Sequence, residues 1–228
     1  MEQSHKRILV CAYRDWALDV YESISATFKF DCEFYLAKNR NQFKDYAKHF
    51  PDFDLIFFIG WSWIIPKKFV ENNTCICFHP SALPKYRGGS PIQNQIIDGV
   101  IRSSLTAFVM DDGVDTGPIC GTASINLTGN LSDVLESISS ASKTVFNQIT
   151  TYYLAHGEIA SVPQNEDHAT HYPRRKPEQS EIKLEDFIDC TSTQLHNKIR
   201  SLQFPYPNAY IVCGDGKKLF IVLSEPEG

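Results

Sequence analysis

Short apolar runs alternate with amphipathic segments along the first 157 residues of the chain. Residues 54–60 (DLIFFIG) are apolar at every central position, which is typical of a strand covered on both faces. Residues 14–28 instead repeat apolar positions at the spacing of a helix. By these criteria the pattern predicts strands at 6–13, 30–37, 54–60, 74–79, 104–111 and 119–127, and helices at 14–28, 39–50, a short stretch after Pro66, 90–98 and 131–156. Strands that alternate with helices predict an α/β fold with a right-handed, largely parallel sheet.

The pattern changes after residue 157. The next stretch is polar and contains three prolines, which predicts a linker or excursion. A helix is predicted at 191–202 with Thr191 or Ser192 as its N-cap, and two short strands around CGDG predict a hairpin at 209–223. The predicted organisation is therefore a domain at 1–157, a linker at 158–180 and a small C-terminal helix–hairpin subdomain at 181–228.

Charge and composition narrow the functional class. The net charge of −5 argues against a broad nucleic-acid surface, and the hydrophobic fraction of 43% is ordinary for a globular protein. No apolar run approaches the roughly 20 residues that a membrane-spanning helix needs. Bulk properties therefore favour an enzyme that acts on a small molecule, with no membrane partner.

The cysteines indicate a reducing compartment. Seven cysteines form an odd, scattered set, mostly inside apolar runs, so we expect reduced thiols in a cytoplasmic protein. Cys75 and Cys77 share one face of a predicted strand, but no second pair of ligands stands at matching spacing. We therefore expect no metal site.

Two loops carry the residues that could do chemistry. His79 ends a predicted strand and is followed by Pro80, which cannot extend a ladder of backbone hydrogen bonds. Residues 110–117 also follow a strand and contain three carboxylates. A lone histidine at a strand end is usually a surface or turn residue, and an acidic turn is usually solvated. Because ligands bind beyond the carboxyl ends of parallel strands, two such loops at one edge predict a histidine–carboxylate site instead.

These residues resemble a known family. The segment HPSALPKYRGGSPIQ, which begins at His79, and the segment MDDGVDTGPI, which contains Asp115, resemble the folate-dependent formyltransferases. The resemblance covers about residues 6–157, which it identifies as a Rossmann-like catalytic domain with a twisted sheet and helices on both faces. It continues through RRKPEQSEI and LHNKIRSLQFPYPNAY into the C-terminal segment.

The resemblance implies transfer of a formyl group from 10-formyltetrahydrofolate to a primary amine. His79 would act as general acid and base and stabilise the oxyanion, and Asp115 would help to move the proton, directly or through water. Trp61 has an alternative interpretation as a packing aromatic. The residues that the resemblance places along the folate are Trp61, Ile64, Ile65, Pro66, Ser81, Pro84, Met110, Asp111 and Gly113.

One position departs from the family pattern. The family usually has an asparagine two residues before the histidine, whose amide helps to hold the oxyanion, and this chain has Cys77 there. A thiol is a weak donor. Asn94 could supply the amide, as the resemblance of this segment to peptide-synthetase formylation domains favours. Alternatively, backbone N–H groups do so, or activity has been lost.

The amine acceptor is the less determined half of the reaction. We expect a nucleotide-linked amino-dideoxy sugar, with dTDP as the nucleotide, used for a surface polysaccharide. One alternative is methionyl-tRNA as the acceptor. Another is that the chain is a formylation module of a peptide synthetase. The candidate substrate-binding residues are Tyr86, Arg87, Tyr172, Arg174 and Tyr206, together with Arg175 and Phe204. Arg87 could instead fix its loop through carbonyl groups, and Ser90 is expected to be a helix N-cap. The edges of the hairpin make a homodimer possible.

Overall fold

A six-stranded sheet forms the centre of the computed structural model, which describes residues 5–49 and 52–227. Its spatial order is β2-β1-β3-β4-β6-β7, and two small two-stranded sheets accompany it. The strands of the chain are β1 (Lys6–Cys11), β2 (Cys32–Ala37), β3 (Leu55–Ile59), β4 (Cys75–His79), β5 (Arg87–Gly88), β6 (Arg102–Val109), β7 (Ile119–Asn126), β8 (His171–Tyr172), β9 (Ala209–Val212) and β10 (Lys218–Ile221).

Helices cover both faces of the sheet. The helices are α1 (Asp15–Thr27), α2 (Arg40–His49), α3 (Lys67–Glu71), α4 (Pro91–Ile97), α5 (Leu131–His156), α6 (Leu184–Asp189) and α7 (Ser192–Arg200). The predicted Rossmann-like α/β fold is confirmed, and each strand and helix predicted within 6–157 is present. Residue 50, the last of the predicted helix 39–50, lies outside the described residues, as do residues 1–4, 51 and 228 of the predicted domains.

The direction of β6 differs from a simple alternating pattern. Four strands are parallel to one another, namely β2, β1, β3 and β4. Strand β6 instead pairs antiparallel with β4, with His79 opposite Thr106 and Ile76 opposite Val109. The loop after β4 and the short helix α4 stay at the end of the sheet where β4 stops, since Gln95 on α4 donates to the carbonyl oxygen of Pro80. The chain therefore re-enters the sheet from the end that it has just left.

Alternation along the strands divides the core into two layers. Ile8, Val10 and Phe57 belong to the cluster that α1 and α5 cover, whereas Leu9 and Phe58 belong to the cluster on the opposite face. The long helix α5 has a capping box in which Asn130 and Asp133 bond to each other's backbone, and it ends at Gly157 with φ +75°. The central strands of the sheet are thus buried on both faces.

The C-terminal segment packs as a small satellite. The helix α7 begins after Thr191, whose hydroxyl accepts from the backbone of Gln194, as predicted for its N-cap. The guanidinium of Arg200 donates to the carbonyl oxygens of Leu127 and Gly129, which fastens α7 to the main domain. The hairpin of β9 and β10 is also present, whereas α6 was not predicted.

Residues 158–180 are ordered against the main domain. Val162 forms an antiparallel bridge with Ile119, and β8 pairs with β5. The sequence pattern did not predict these contacts, because a polar stretch with prolines has no amphipathic period. The boundaries proposed for the domains stay predictions.

The cysteine thiols are free, and several are buried. Burial raises the pKa of Cys75 to about 12 and raises that of Cys11 well above its usual value. Such thiols are unreactive as nucleophiles at neutral pH. Within the described ranges, no helix combines the length and apolar character that crossing a membrane requires.

The ring of Phe146 joins α5 to the sheet, and its removal should be costly. The side chain is fully buried, and its ring centroid lies 4.1 Å from that of Phe57. We expect Phe146→Ala to lower the free energy of unfolding in urea by about 3–5 kcal/mol. Phe30 is 76% exposed, so Phe30→Ala is the control and should change it by less than about 0.5 kcal/mol. Equal effects of the two substitutions would contradict this view of the core.

Candidate active site

His79 is the buried end of β4, and each of its ring nitrogens has a partner. The residue is 6% exposed, and Nε2 lies 2.9 Å from the carbonyl oxygen of Tyr86. A carbonyl oxygen can only accept, so Nε2 carries a proton and donates. In the neutral ring the free lone pair is therefore on Nδ1.

Asp115 faces that free nitrogen. Its Oδ2 lies 3.4 Å from His79 Nδ1 and accepts a hydrogen bond of 2.8 Å from the backbone N–H of Gly88. The gap to Nδ1 is longer than the roughly 2.7–2.9 Å of a close charge-assisted hydrogen bond. A substrate atom that carries a proton can therefore hydrogen-bond to both His79 Nδ1 and Asp115 Oδ2.

The loop that carries Asp115 reaches His79 by an unexpected route. Because β6 is antiparallel, Met110 follows it at the start of β4, where its N–H donates to the carbonyl oxygen of Cys75. The loop then brings Asp115 close to His79 and Cys77. Burial, followed by the nearby charge of Asp115, raises the pKa of the Cys77 thiol. The expectation that both loops leave from one edge was wrong, although the two side chains do meet.

Arg87 has a different role from both of those predicted. Its side chain is 1% exposed and makes four hydrogen bonds, two to Gln164 Oε1 and one to each carboxylate oxygen of Glu166. It is therefore unavailable to a diphosphate, and its partners are side chains rather than carbonyl groups. The physical reason is that residues 158–180 fold back over the loop and supply a carboxylate and an amide.

The amide of Asn94 is hydrogen-bonded to the backbone. Asn94 is buried in α4, and its Nδ2 donates to the carbonyl oxygen of Gly89 at 3.0 Å. Among the residues that the structure describes, no hydrogen bond joins it to His79 or Asp115. Ser90, the residue before α4, does not cap the helix with its side chain; its hydroxyl accepts from the backbone N–H of Arg175.

The residues predicted along the folate divide into three groups. Trp61, Ile65 and Met110 pack against the apolar cluster on the sheet face that carries Cys75. The indole Nε1 of Trp61 is buried and has no hydrogen-bond partner among the described residues. Ser81 is fully buried and its hydroxyl donates to the carbonyl oxygen of Lys85, so its prediction as a folate contact is wrong in this conformation. The remaining predicted residues are the half-buried Pro84 and the exposed Ile64, Pro66, Asp111 and Gly113.

Tyr86 and Tyr172 stack on each other. Their ring centroids are 4.9 Å apart with an interplanar angle of 16°, and both hydroxyls donate to Asp98 Oδ2. Burial, followed by the hydrogen bond to Asp98, raises the pKa of Tyr86. Each ring therefore already has a stacking partner on one face, which the prediction of both tyrosines as substrate-binding residues did not include.

A second cluster lies where β1 and β3 end. The guanidinium of Arg14 lies over the rings of Tyr13 and Tyr206, at 4.9 and 5.4 Å, and Tyr13 shares a hydrogen bond with Ser62. Arg174 approaches the carbonyl oxygen of Ser62. Within the described part of the chain neither arginine has a carboxylate within 4.0 Å. Phe204 lies apart, at 80% exposure.

Sequence reasoning missed several of these residues for two reasons. Tyr13 and Arg14 directly follow β1 at the carboxyl edge of the sheet, a position that could have identified them. Gln164 and Glu166 gave no local signal, because only the folded chain brings them to Arg87. Among the described residues, no cluster of three or more histidine, cysteine or acidic side chains could hold a metal ion.

Comparisons with known proteins agree on one family. A sequence model of the family described as formyl transferase matches residues 7–150. A methionyl-tRNA formyltransferase of Lactiplantibacillus plantarum is 31% identical over 169 residues, which are 72% of this chain and 51% of that protein. The chain thus spans about half the length of the curated relatives that it matches.

Solved structures share the fold over nearly the whole chain. A methionyl-tRNA formyltransferase from Clostridium thermocellum is 28% identical with a TM-score of 0.78, covering 97% of this chain and 100% of that one. A 4-N formyltransferase from Francisella tularensis is 22% identical with the same TM-score, covering 98% of each chain.

Gly88 is the glycine on which the site geometry depends. Its φ of +92° is unfavourable for other residues, and an added Cβ would lie 2.5 Å from the carbonyl oxygen of Tyr172. We expect Gly88→Ala to lower the free energy of unfolding by about 1–3 kcal/mol from backbone strain alone. Gly214→Ala is the control, since nothing lies within 4 Å of the added atom. Indistinguishable denaturation curves for the two variants would contradict this assignment.

Proposed function

The chain belongs to the formyl transferase family, and we propose that it transfers a formyl group from 10-formyltetrahydrofolate to the primary amine of a nucleotide-linked amino sugar. The observation that carries this proposal is the buried pair of His79 and Asp115, with Nδ1 and Oδ2 3.4 Å apart and the carboxylate held by the N–H of Gly88. Together they form a proton-accepting site at a fixed position.

His79 and Asp115 prepare the acceptor. An amine attacks only when its nitrogen carries a free lone pair, so a base must remove its proton. Because Nε2 is committed to the carbonyl oxygen of Tyr86, Nδ1 is the ring atom that accepts this proton. The carboxylate of Asp115 then lies beside a positively charged imidazolium and stabilises it.

His79 also serves the second half of the reaction. Once protonated, its Nδ1–H can hold the negative charge that develops on the formyl oxygen, which replaces the amide expected at Cys77. The same proton can then pass to the leaving nitrogen. This assignment does not require Asn94, whose amide is occupied with Gly89.

The formyl donor fits the apolar wall beside this pair. Trp61, Ile65 and Met110 offer flat and apolar surface, and the buried N–H of Trp61 lacks an acceptor. A heteroaromatic ring with acceptor atoms complements such a wall. When bound, the donor supplies the formyl group, and the chain supplies orientation and proton movement.

The second cluster suits a nucleotide diphosphate. Arg14 and Arg174 lack carboxylate partners among the described residues, and Tyr13 and Tyr206 present aromatic surface beside them. Arginine binds phosphate oxygens through its planar fork of N–H groups. We infer a dTDP-linked amino-dideoxy sugar, with Arg14 taking the role first predicted for Arg87.

Methionyl-tRNA is the second candidate acceptor. The names of the curated relatives favour it. The net charge of −5 opposes it, because tRNA binding requires positive surface to neutralise phosphates. Formylation of tRNA would fall steeply as salt is raised, whereas formylation of a sugar nucleotide would change little.

The function is tested with purified protein, 10-formyltetrahydrofolate and a panel of dTDP-linked amino sugars. We expect mass spectrometry to find one formyl group added to at least one sugar. His79→Asn and Asp115→Asn should each lower kcat by about 10²–10⁴-fold, as loss of a general base does. Asn94→Ala is the control, for which we expect less than a tenfold change. A formyl group added to methionyl-tRNA and to no sugar nucleotide would overturn the proposal for the acceptor.

We further propose that the chain acts in the cytoplasm as a homodimer formed through its C-terminal segment. Phe187 and Ile188 on α6, and Leu219 and Phe220 on the hairpin, are more than half exposed. Apolar surface of this kind is usually covered by a partner. Light scattering should give twice the chain mass of 25.9 kDa for the native protein and a single mass for Ile188→Glu with Phe220→Glu. A native monomer at micromolar concentration would rule the dimer out.

A further inference from the structure

The side-chain amide of Gln164 joins the two loops of the active site. Its Nε2 donates to the carbonyl oxygens of Asp115, at 2.9 Å, and of Gly117, at 2.7 Å. Its Oε1 accepts from Nε and Nη2 of Arg87, at 3.2 and 2.7 Å. Both N–H groups and the oxygen of the amide are therefore in use, and three chain segments meet at one side chain.

We propose that Gln164 is a positioning residue, which holds the backbone at Asp115 so that the carboxylate stays in register with His79. The inference rests on the proposed formyl transfer, but it concerns how the site is built. Gln164 touches neither reacting atom; it acts through Asp115.

The loop needs an external restraint at this point. Asp115 has a φ of +56°. Residues other than glycine adopt this backbone conformation at a cost in free energy, and only where their surroundings enforce it. The preceding residues 111–114 are exposed. Their own bonds join Asp111 to Gly113 and Thr116, and Asp112 to Lys67, and none of these bonds involves residue 115. The restraints on Asp115 come from the N–H of Gly88, which fixes the side chain, and from Gln164, which fixes the main chain.

Arg87 transmits the same restraint to His79. Its chain neighbours are Tyr86, whose carbonyl oxygen accepts from His79, and Gly88, whose N–H holds Asp115. In the chain, Arg87 therefore stands between the two backbone groups that orient His79 and Asp115. By bonding Gln164 it ties residues 86–88 to residues 115–117.

Glu166 secures the cluster electrostatically. It accepts from both terminal nitrogens of Arg87, and this hydrogen bond lowers the pKa of Glu166 below its ordinary value of 4.5. A group with a lowered folded-state pKa stabilises the fold above its unfolded pKa and loses that effect only as pH falls through the folded value. The cluster is therefore intact throughout the neutral range, where the reaction takes place.

The substitution Gln164→Glu separates positioning from simple packing. It keeps the size of the side chain and the acceptors for Arg87, but it removes both donors and sets a carboxylate against two carbonyl oxygens. We expect kcat to fall about 10²-fold, as small misplacements of a catalytic group do, with KM for the sugar nucleotide within threefold. Gln148→Glu is the control, because Gln148 is exposed on α5.

A second readout does not require turnover. In protein labelled with ¹⁵N-histidine, the His79 ring resonances, assigned with His79→Asn, should show Nε2 protonated in the native protein. Gln164→Glu should change the ¹⁵N chemical shifts of this ring at a fixed pH, and Gln148→Glu should not. If the native protein formylates no acceptor, the proposed function fails, and the resonances alone decide the positioning role.

Two outcomes would overturn the inference. One is a Gln164→Glu protein with unchanged kcat and unchanged ¹⁵N chemical shifts of the His79 ring. The other is lower thermal stability with unchanged kcat per folded molecule, which would mark a purely structural residue. Should Gln164→Glu fail to fold, Gln164→Met removes the donors without adding charge, and we expect it to lower kcat about tenfold.

Discussion

The hydrogen bond from His79 Nε2 to the carbonyl oxygen of Tyr86 decides the chemistry of this site. A backbone carbonyl never donates, so in the neutral ring the bond fixes the tautomer and leaves the lone pair of Nδ1 free. The carboxylate of Asp115 faces that atom. The unusual backbone at Tyr86, with φ +60°, directs this carbonyl and therefore helps to set the orientation of the imidazole.

Much of the framework could be predicted from the sequence, and the reasons are local. Continuous apolar runs identify strands such as β3, and helical periodicity identifies α1, since each pattern reflects which faces are buried. The meeting of His79 and Asp115 followed from two motifs of one family. What the pattern could not give was the direction of β6, because a strand–helix–strand order is compatible with either direction when the helix stays at one end of the sheet.

The partners of buried polar groups were the other gap. From the sequence, Arg87 could bind a diphosphate or fix its loop through carbonyl groups, and only the fold shows that Gln164 and Glu166 accept its hydrogen bonds. Asn94 reads as a substitute for the amide missing at Cys77, yet its amide bonds to Gly89. In both cases a side chain of suitable chemistry lies near the site in sequence, and hydrogen bonding to distant backbone or side chains determines where it points. Tertiary hydrogen bonds of this kind leave no periodic pattern and no fixed residue spacing in the sequence.

The dependence of the site on residues beyond 157 has a consequence for how this protein can be taken apart. The family match ends at residue 150, whereas Gln164, Glu166 and Thr170 hold the two catalytic loops from outside it. A chimera spliced at that boundary would inherit the imidazole and the carboxylate from one parent and their scaffold from another. A chimera therefore keeps these contacts only when residues 7–172 come from one parent.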